Sequence, residues 1–176
     1  MNEGNMLDLI VIAGAPGSGK TTIAKLLSVD LDSPLIDLGH IRQFHLNPTW
    51  TNANDEEELM SFENLVFMVH NYVKHGYRNV IVNDLMDYRV QEISKHFSSL
   101  NYLIITLILK DESELKRRVL IPERDSGFRD YQKAIEWNRS LFSRETENEI
   151  KFENSTSDIE SIMSELKQLI NSKNKA

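Results

Sequence analysis

Gly14-Ala15-Pro16-Gly17-Ser18-Gly19-Lys20-Thr21 fits the pattern G-x-x-x-x-G-K-S/T, a loop that binds phosphate through its backbone amides. Its flanks fit too. Leu7-Asp8-Leu9-Ile10-Val11-Ile12-Ala13 is an apolar run that predicts a buried strand, and Thr22-Ile23-Ala24-Lys25-Leu26-Leu27 predicts a helix with one apolar face. Gly14 ends the strand where the chain must turn. Gly17 and Gly19 let the backbone wrap an anion with no Cβ in the way. The loop amides and the N-terminus of the next helix then form a concave anion site. Lys20 is placed to reach the β- and γ-phosphates of a nucleoside triphosphate, and the Thr21 hydroxyl to ligate Mg²⁺. The expected nucleotide-binding stretch is Gly14, Ala15, Pro16, Gly17, Ser18, Gly19, Lys20, Thr21 and Thr22.

Outward from the loop, strands and helices alternate. Short apolar runs at 35–38, 79–83, 102–109 and 149–152 predict four further strands. The run 102–109 is apolar almost throughout, as expected for a parallel strand covered on both faces. Helical spacing recurs in Leu59, Phe62, Val66, Val69 and Val73, and again in Ile159, Ile162, Met163, Leu166, Leu169 and Ile170. Asn54 or Asp55 caps the first of these helices, and Ser157 with Glu160 the second. Further helices are expected at about 39–46, about 88–97, from Asp111 onward, and about 129–143. The whole predicts a single α/β domain with a parallel sheet over residues 1–176.

Composition narrows the chemistry. With 176 residues, 40% of them apolar, the chain is long enough for one sizeable core. It has no cysteine, which excludes disulfides, thiolate metal sites and a cysteine nucleophile. A net charge of −7 argues against broad nucleic-acid or anionic-membrane binding. The polar, acidic opening Met1-Asn2-Glu3-Gly4-Asn5 is unlike a signal peptide, and no apolar run is long enough to span a bilayer. A cytoplasmic protein, monomeric or homodimeric, is expected. A guanine-reading N-K-x-D motif is absent, since the fourth strand ends Ile108-Leu109-Lys110-Asp111. An oligomeric ATPase usually has a longer chain and an extra helical domain.

In the order of its elements nearly the whole chain resembles the small P-loop kinases. These include shikimate, gluconate, adenylate and chloramphenicol kinases and AAA-type kinase-like proteins. The specific part of the likeness is the loop itself. The rest is pattern: an acid after the second strand, an acid after the third, arginines around a Pro-Gly break, and a small polar turn after the fifth. The resemblance implies a P-loop NTPase three-layer fold with five strands in the order 2-3-1-4-5. It also implies ATP over the loop, a small acceptor across the carboxyl ends of the strands, and a lid at about 118–130.

Candidate roles follow. Asp37, at the end of the second strand, is the candidate base for the acceptor hydroxyl, or a group orienting a Mg²⁺-bound water. Asp84, after the third strand, is expected to hold Mg²⁺ through water or to bind the acceptor, with Asp87 a nearby competitor. Arg42 is expected to bind an anionic group of the acceptor, and Trp50 to cover it. Among the arginines flanking the break (Arg117, Arg118, Arg124 and Arg129), the resemblance singles out Arg117 and Arg124 as stabilisers of transferred charge, with Arg117 also on ATP. Asn154 and Thr156 are expected beside the adenine. Leu38-Gly39-His40 stands where related kinases often carry a second acid. The expected activity is ATP- and Mg²⁺-dependent phosphoryl transfer to a small hydroxyl- or phosphate-bearing acceptor. The alternatives are a nucleotide-binding regulatory protein without turnover and an end-phosphorylating nucleic-acid kinase.

Overall fold

The computed structural model describes residues 6–45, 54–123, 126–155 and 158–174. Five parallel strands form one sheet: β1 (Leu9–Gly14), β2 (Leu35–Asp37), β3 (Val80–Asn83), β4 (Tyr102–Ile108) and β5 (Glu149–Glu153). Their order is β2-β3-β1-β4-β5, as expected from the resemblance. The helices are α1 (Lys20–Asp30), α2 (Leu38–Arg42), α3 (Asp55–Lys74), α4 (Asp87–Gln91), α5 (Ile93–His96), α6 (Glu112–Val119), α7 (Tyr131–Ser143) and α8 (Ile159–Lys173).

The period of two along each strand divides the core into two layers. Leu9, Val11 and Ala13 of β1 join Val80, Val82 and Ile104 on one face, against Phe62, Leu65 and Val69 of α3 and Ile93 of α5. Ile10 and Ile12 join Ile81, Leu103, Ile105 and Leu107 on the other, against Ile23, Ala24 and Leu27 of α1 and Met163, Leu166 and Ile170 of α8. Central strands buried on both faces favour apolar residues at nearly every position, which is why β1, β3 and β4 read as apolar runs broken only at Asn83 and Thr106. The result is a three-layer α/β architecture. Each strand delivers its carboxyl end to the same edge of the sheet, where open α/β sheets bind ligands.

Two local expectations change. The helix anticipated at about 88–97 breaks at Glu92 into α4 and α5. There the backbone tightens to three-residue turns, Glu92 N–H donating to Arg89 O at 3.1 Å and Lys95 N–H to Glu92 O at 3.0 Å. The cap of α8 is Asp158, whose carboxylate accepts from the amides of Glu160 and Ser161. Ser157, the expected cap, lies outside the described residues. For α3 the cap is Asn54, which forms a reciprocal capping box with Glu57.

Candidate active site

The loop after β1 is held in shape by its own lysine. Lys20 Nζ donates to Gly14 O at 2.9 Å and to Ala15 O at 3.1 Å. Gly19 adopts φ +96°, and a Cβ there would lie 2.6 Å from Asn154 Nδ2. Both conditions demand glycine. That contact exists because Asn154 donates from Nδ2 to Ser18 O at 2.7 Å, while its backbone amide bonds Ile108 O at 2.9 Å. Asn154, expected beside the adenine, is thus a buried strut between the phosphate loop and the end of β5. Thr156 lies outside the described residues. Replacing Asn154 by alanine leaves the buried Ser18 carbonyl without this donor. Urea denaturation is expected to show a loss of about 1–3 kcal/mol, and nucleotide titration weaker ATP binding through a loosened loop.

A cleft of about 570 Å³ lies over this loop. Gly17, Gly19, Lys20, Thr21 and Thr22 form one wall, and Arg118, Ile121, Glu123 and Ser126 come from α6 and the segment after it. Arg117, the arginine singled out from sequence, is 64% exposed and pairs with Glu114, while Arg118 next to it is 16% exposed and faces the cleft. Glu114 bonds both guanidiniums, which hold its carboxyl down to about 2. Arg129 folds the segment on itself, donating to the carbonyls of Phe128 at 3.0 Å and Pro122 at 3.2 Å. Arg124 lies outside the described residues.

A second cleft, of about 680 Å³, opens over the ends of β2 and β3. Asp37, Gly39, His40, Arg42 and Asp84 line it, with Ser126, Gly127 and Phe128 opposite. Thr21, Lys25 and Ser126 border both clefts, so the two meet beside the phosphate loop. Trp50 lies outside the described residues.

Two carboxylates converge in this second cleft. Asp37 caps α2, with Oδ1 accepting from Gly39 N–H at 2.8 Å. A Cβ on Gly39 would stand 2.9 Å from Asp37 Oδ1 and 2.8 Å from Asp84 Oδ2. Gly39 therefore lets Asp84 approach, and β3 supplies the second acid that Leu38-Gly39-His40 lacks. Asp84 sits at φ +62°, an uncommon conformation for a non-glycine residue. The preceding Asn83 is fully buried, with neither amide atom hydrogen-bonded. Asp87 is turned to a different task, pairing with Arg144, which also bonds Glu149 and, at 2.8 Å, Thr106.

Burial and then the neighbouring Asp37 charge raise the Asp84 pKa above its ordinary value, against the opposing pull of Lys20 and Arg42. A raised folded-state pKa means that the folded chain holds the proton more tightly than the unfolded chain. Its contribution to stability is present below about 3.8 and is lost as pH rises through the folded value. Asp84→Asn removes that dependence, and asparagine tolerates the left-handed backbone at least as well. The variant is expected to melt above the native protein at pH 7, with the gap closing toward pH 4, as read by thermal unfolding across that range.

Arg42 Nε and Nη2 bond Glu58 Oε2 at 3.0 and 2.8 Å, and Nη1 reaches Asp84 Oδ2 at 3.3 Å. Sequence reasoning missed Glu58, which reads as one of four acids in the first turn of α3. For a Mg²⁺ ion the site offers hard oxygen donors, the Thr21 hydroxyl and the Asp84 carboxylate, which is the chemistry that ion prefers. Among the described residues no three His, Cys, Asp or Glu gather to hold a metal by themselves. Also among them, no helix is long and apolar enough to cross a membrane.

No family model matches the sequence. Over 33 residues the chain is 58% identical to a cytidylate kinase of Sulfurisphaera tokodaii, a match covering 19% of this chain and 18% of that protein. Solved structures are similar over nearly the full length. Shikimate kinase from Bacteroides thetaiotaomicron has a TM-score of 0.67 at 19% identity, covering 93% of this chain and 98% of that one. Thymidylate kinase from Candida albicans has 0.63 at 18%, covering 97% and 94%. A gluconokinase from Sinorhizobium meliloti has 0.61 at 14%, covering 93% of each. At such identities the likeness is one of fold, and the fold of this chain is that of the small P-loop kinases.

Proposed function

We propose that the protein transfers the γ-phosphoryl group of ATP, with Mg²⁺, to a small hydroxyl- or phosphate-bearing acceptor. The observation that carries this reading is the meeting of two clefts at Thr21, Lys25 and Ser126. One cleft is floored by a phosphate-binding loop and the other holds two carboxylates. Phosphoryl transfer needs this division, with a donor phosphate and an acceptor hydroxyl brought into line and water kept out.

Each residue has a part. The loop amides and Lys20 hold the β- and γ-phosphates. Thr21, and Asp84 through water, would hold Mg²⁺, which supplies positive charge between the phosphate oxygens when bound. Asp37 accepts the proton of the acceptor hydroxyl. Arg118, facing the donor cleft, takes the charge-stabilising role expected of Arg117; Arg124 keeps the role expected of it from sequence. Phe128 packs on the apolar cluster of Leu109, Leu115, Val119 and Ala134, which seats the lid against α6 and α7.

The reading is tested by acceptor-dependent ADP release from Mg·ATP over a panel of hydroxyl compounds and nucleotides. Release that rises with one acceptor and disappears in Lys20→Ala supports it. ATP binding without stimulation by any acceptor would leave a nucleotide-binding protein without turnover.

A further inference from the structure

The charge balance of the acceptor cleft narrows the acceptor class, and this step rests on the phosphotransferase reading above. Arg42 reaches the carboxylate pair, yet its guanidinium already bonds Glu58 twice and Asp84 once. Its side chain is only 7% exposed. Asp37, Asp84 and Glu58, the last behind Arg42, carry −3 against the +2 of Arg42 and Lys25, a balance of −1 around this wall.

Beyond Lys20 and Lys25, at the phosphate-loop side, little offsets it among the described residues. No lysine or arginine occurs between Arg42 and Lys74, so the whole segment entering α3 is without a strong cation. Lys74 ends α3, and Arg78 lies 3.5 Å from Asp8 before the start of β1, both at the far end of the strands from Asp37. Among the described residues, Lys25 is the other lysine or arginine on the wall, on the border shared with the donor cleft. Among the described residues after α6, those lining this cleft are Ser126, Gly127 and Phe128, all uncharged.

We propose that the acceptor is a hydroxyl compound bearing no phosphate or carboxylate, either a neutral polyol-type molecule or an amine-bearing alcohol. An anionic group in this cleft would meet two carboxylates while, among the described residues, the guanidinium on its wall is already engaged, which is disfavoured. Hydroxyls and ammonium groups do the opposite, since each carboxylate accepts several hydrogen bonds. The reaction balances simply. The acceptor oxygen bonds the γ-phosphorus, the bond from that phosphorus to the β–γ bridging oxygen breaks, ADP leaves, and the hydroxyl proton goes to Asp37. Glu58 is then a specificity residue, because it neutralises Arg42 without facing the reacting atoms.

The test is ADP release from Mg·ATP with matched pairs: a nucleoside and its monophosphate, a hexose and its sugar acid, and a hexosamine. The uncharged or amine-bearing member of a productive pair is expected to have a kcat/KM about tenfold or more above its anionic partner. Glu58→Gln frees part of Arg42 and is expected to move that ratio about tenfold toward the anion. A merely structural role for Glu58 would lower both members together and leave the ratio still, which overturns the assignment. Preference of the native protein for the anionic member overturns this inference alone. Silence of the whole panel overturns the phosphotransferase reading and this inference with it.

Discussion

Lys20→Ala is expected to lower kcat/KM for ADP formation about a thousandfold, at the upper end of what one charge-stabilising group contributes. The amino group is the fixed positive charge of the loop, and amides alone offer only partial charges to the β- and γ-phosphates. The fold should survive. Nζ bonds two loop carbonyls, Gly14 O and Ala15 O, and each net hydrogen bond contributes about 0.5–1.5 kcal/mol. The core on either face of β1 is untouched, because it is built from Leu9 to Ala13. Circular dichroism should therefore match the native protein while coupled ADP release collapses. Lys20→Arg is expected to be nearly as poor, since a planar fork does not replace a compact ammonium at a point contact. Full turnover by Lys20→Ala would remove this residue from the chemistry.

The donor side was legible in the sequence because its determinants are contiguous. An apolar run, a glycine-bearing loop and an amphipathic helix lie within about twenty residues, and each has its own local signature. The alternation of strand and helix gave the class, but the strand order came from resemblance, since periodicity does not say which strand pairs with which. The acceptor side was less legible because its contacts are made across the fold. Glu58 looks like a helix-dipole residue until α3 packs beside α2 and brings it to Arg42. Gly39 looks like a missing acid until β3 places Asp84 against it. Asn154 is a polar turn residue on paper, and only the closing of β5 beside β4 sets it under Ser18.

One signal was present and unused. Leu115 and Val119 are the buried residues of α6, and a Cβ on Gly17 would touch both of them; Arg118 lies three positions after Leu115, on its side of the helix, whereas Arg117 lies two positions from each. Arg118 therefore shares the face that meets the phosphate loop, while Arg117 points away. The apolar spacing alone would have chosen between the two arginines.

Asp37→Asn is the sharpest test of the acceptor side. The substitution is expected to lower kcat about a hundred- to a thousandfold, the usual contribution of a positioned base, with little change in thermal stability. Asparagine caps a helix as well as aspartate does, so the bond from Gly39 N–H at 2.8 Å is kept. That separates structure from chemistry at one atom pair. Oδ1 holds the turn, while Oδ2 has no hydrogen-bond partner among the described residues, and Asp37 lines the cleft. Asp84 is the natural competitor, but its carboxylate is engaged by Arg42 and feels Lys20, which suits a group that orients a Mg²⁺-bound water. Asp84→Asn should then lose activity mainly at limiting Mg²⁺ and recover as the ion is raised. Asp37→Asn should show no such rescue. Measuring kcat for both variants across a Mg²⁺ titration decides the matter: a Mg²⁺-independent loss in Asp84→Asn, with Asp37→Asn near native, would exchange the two roles.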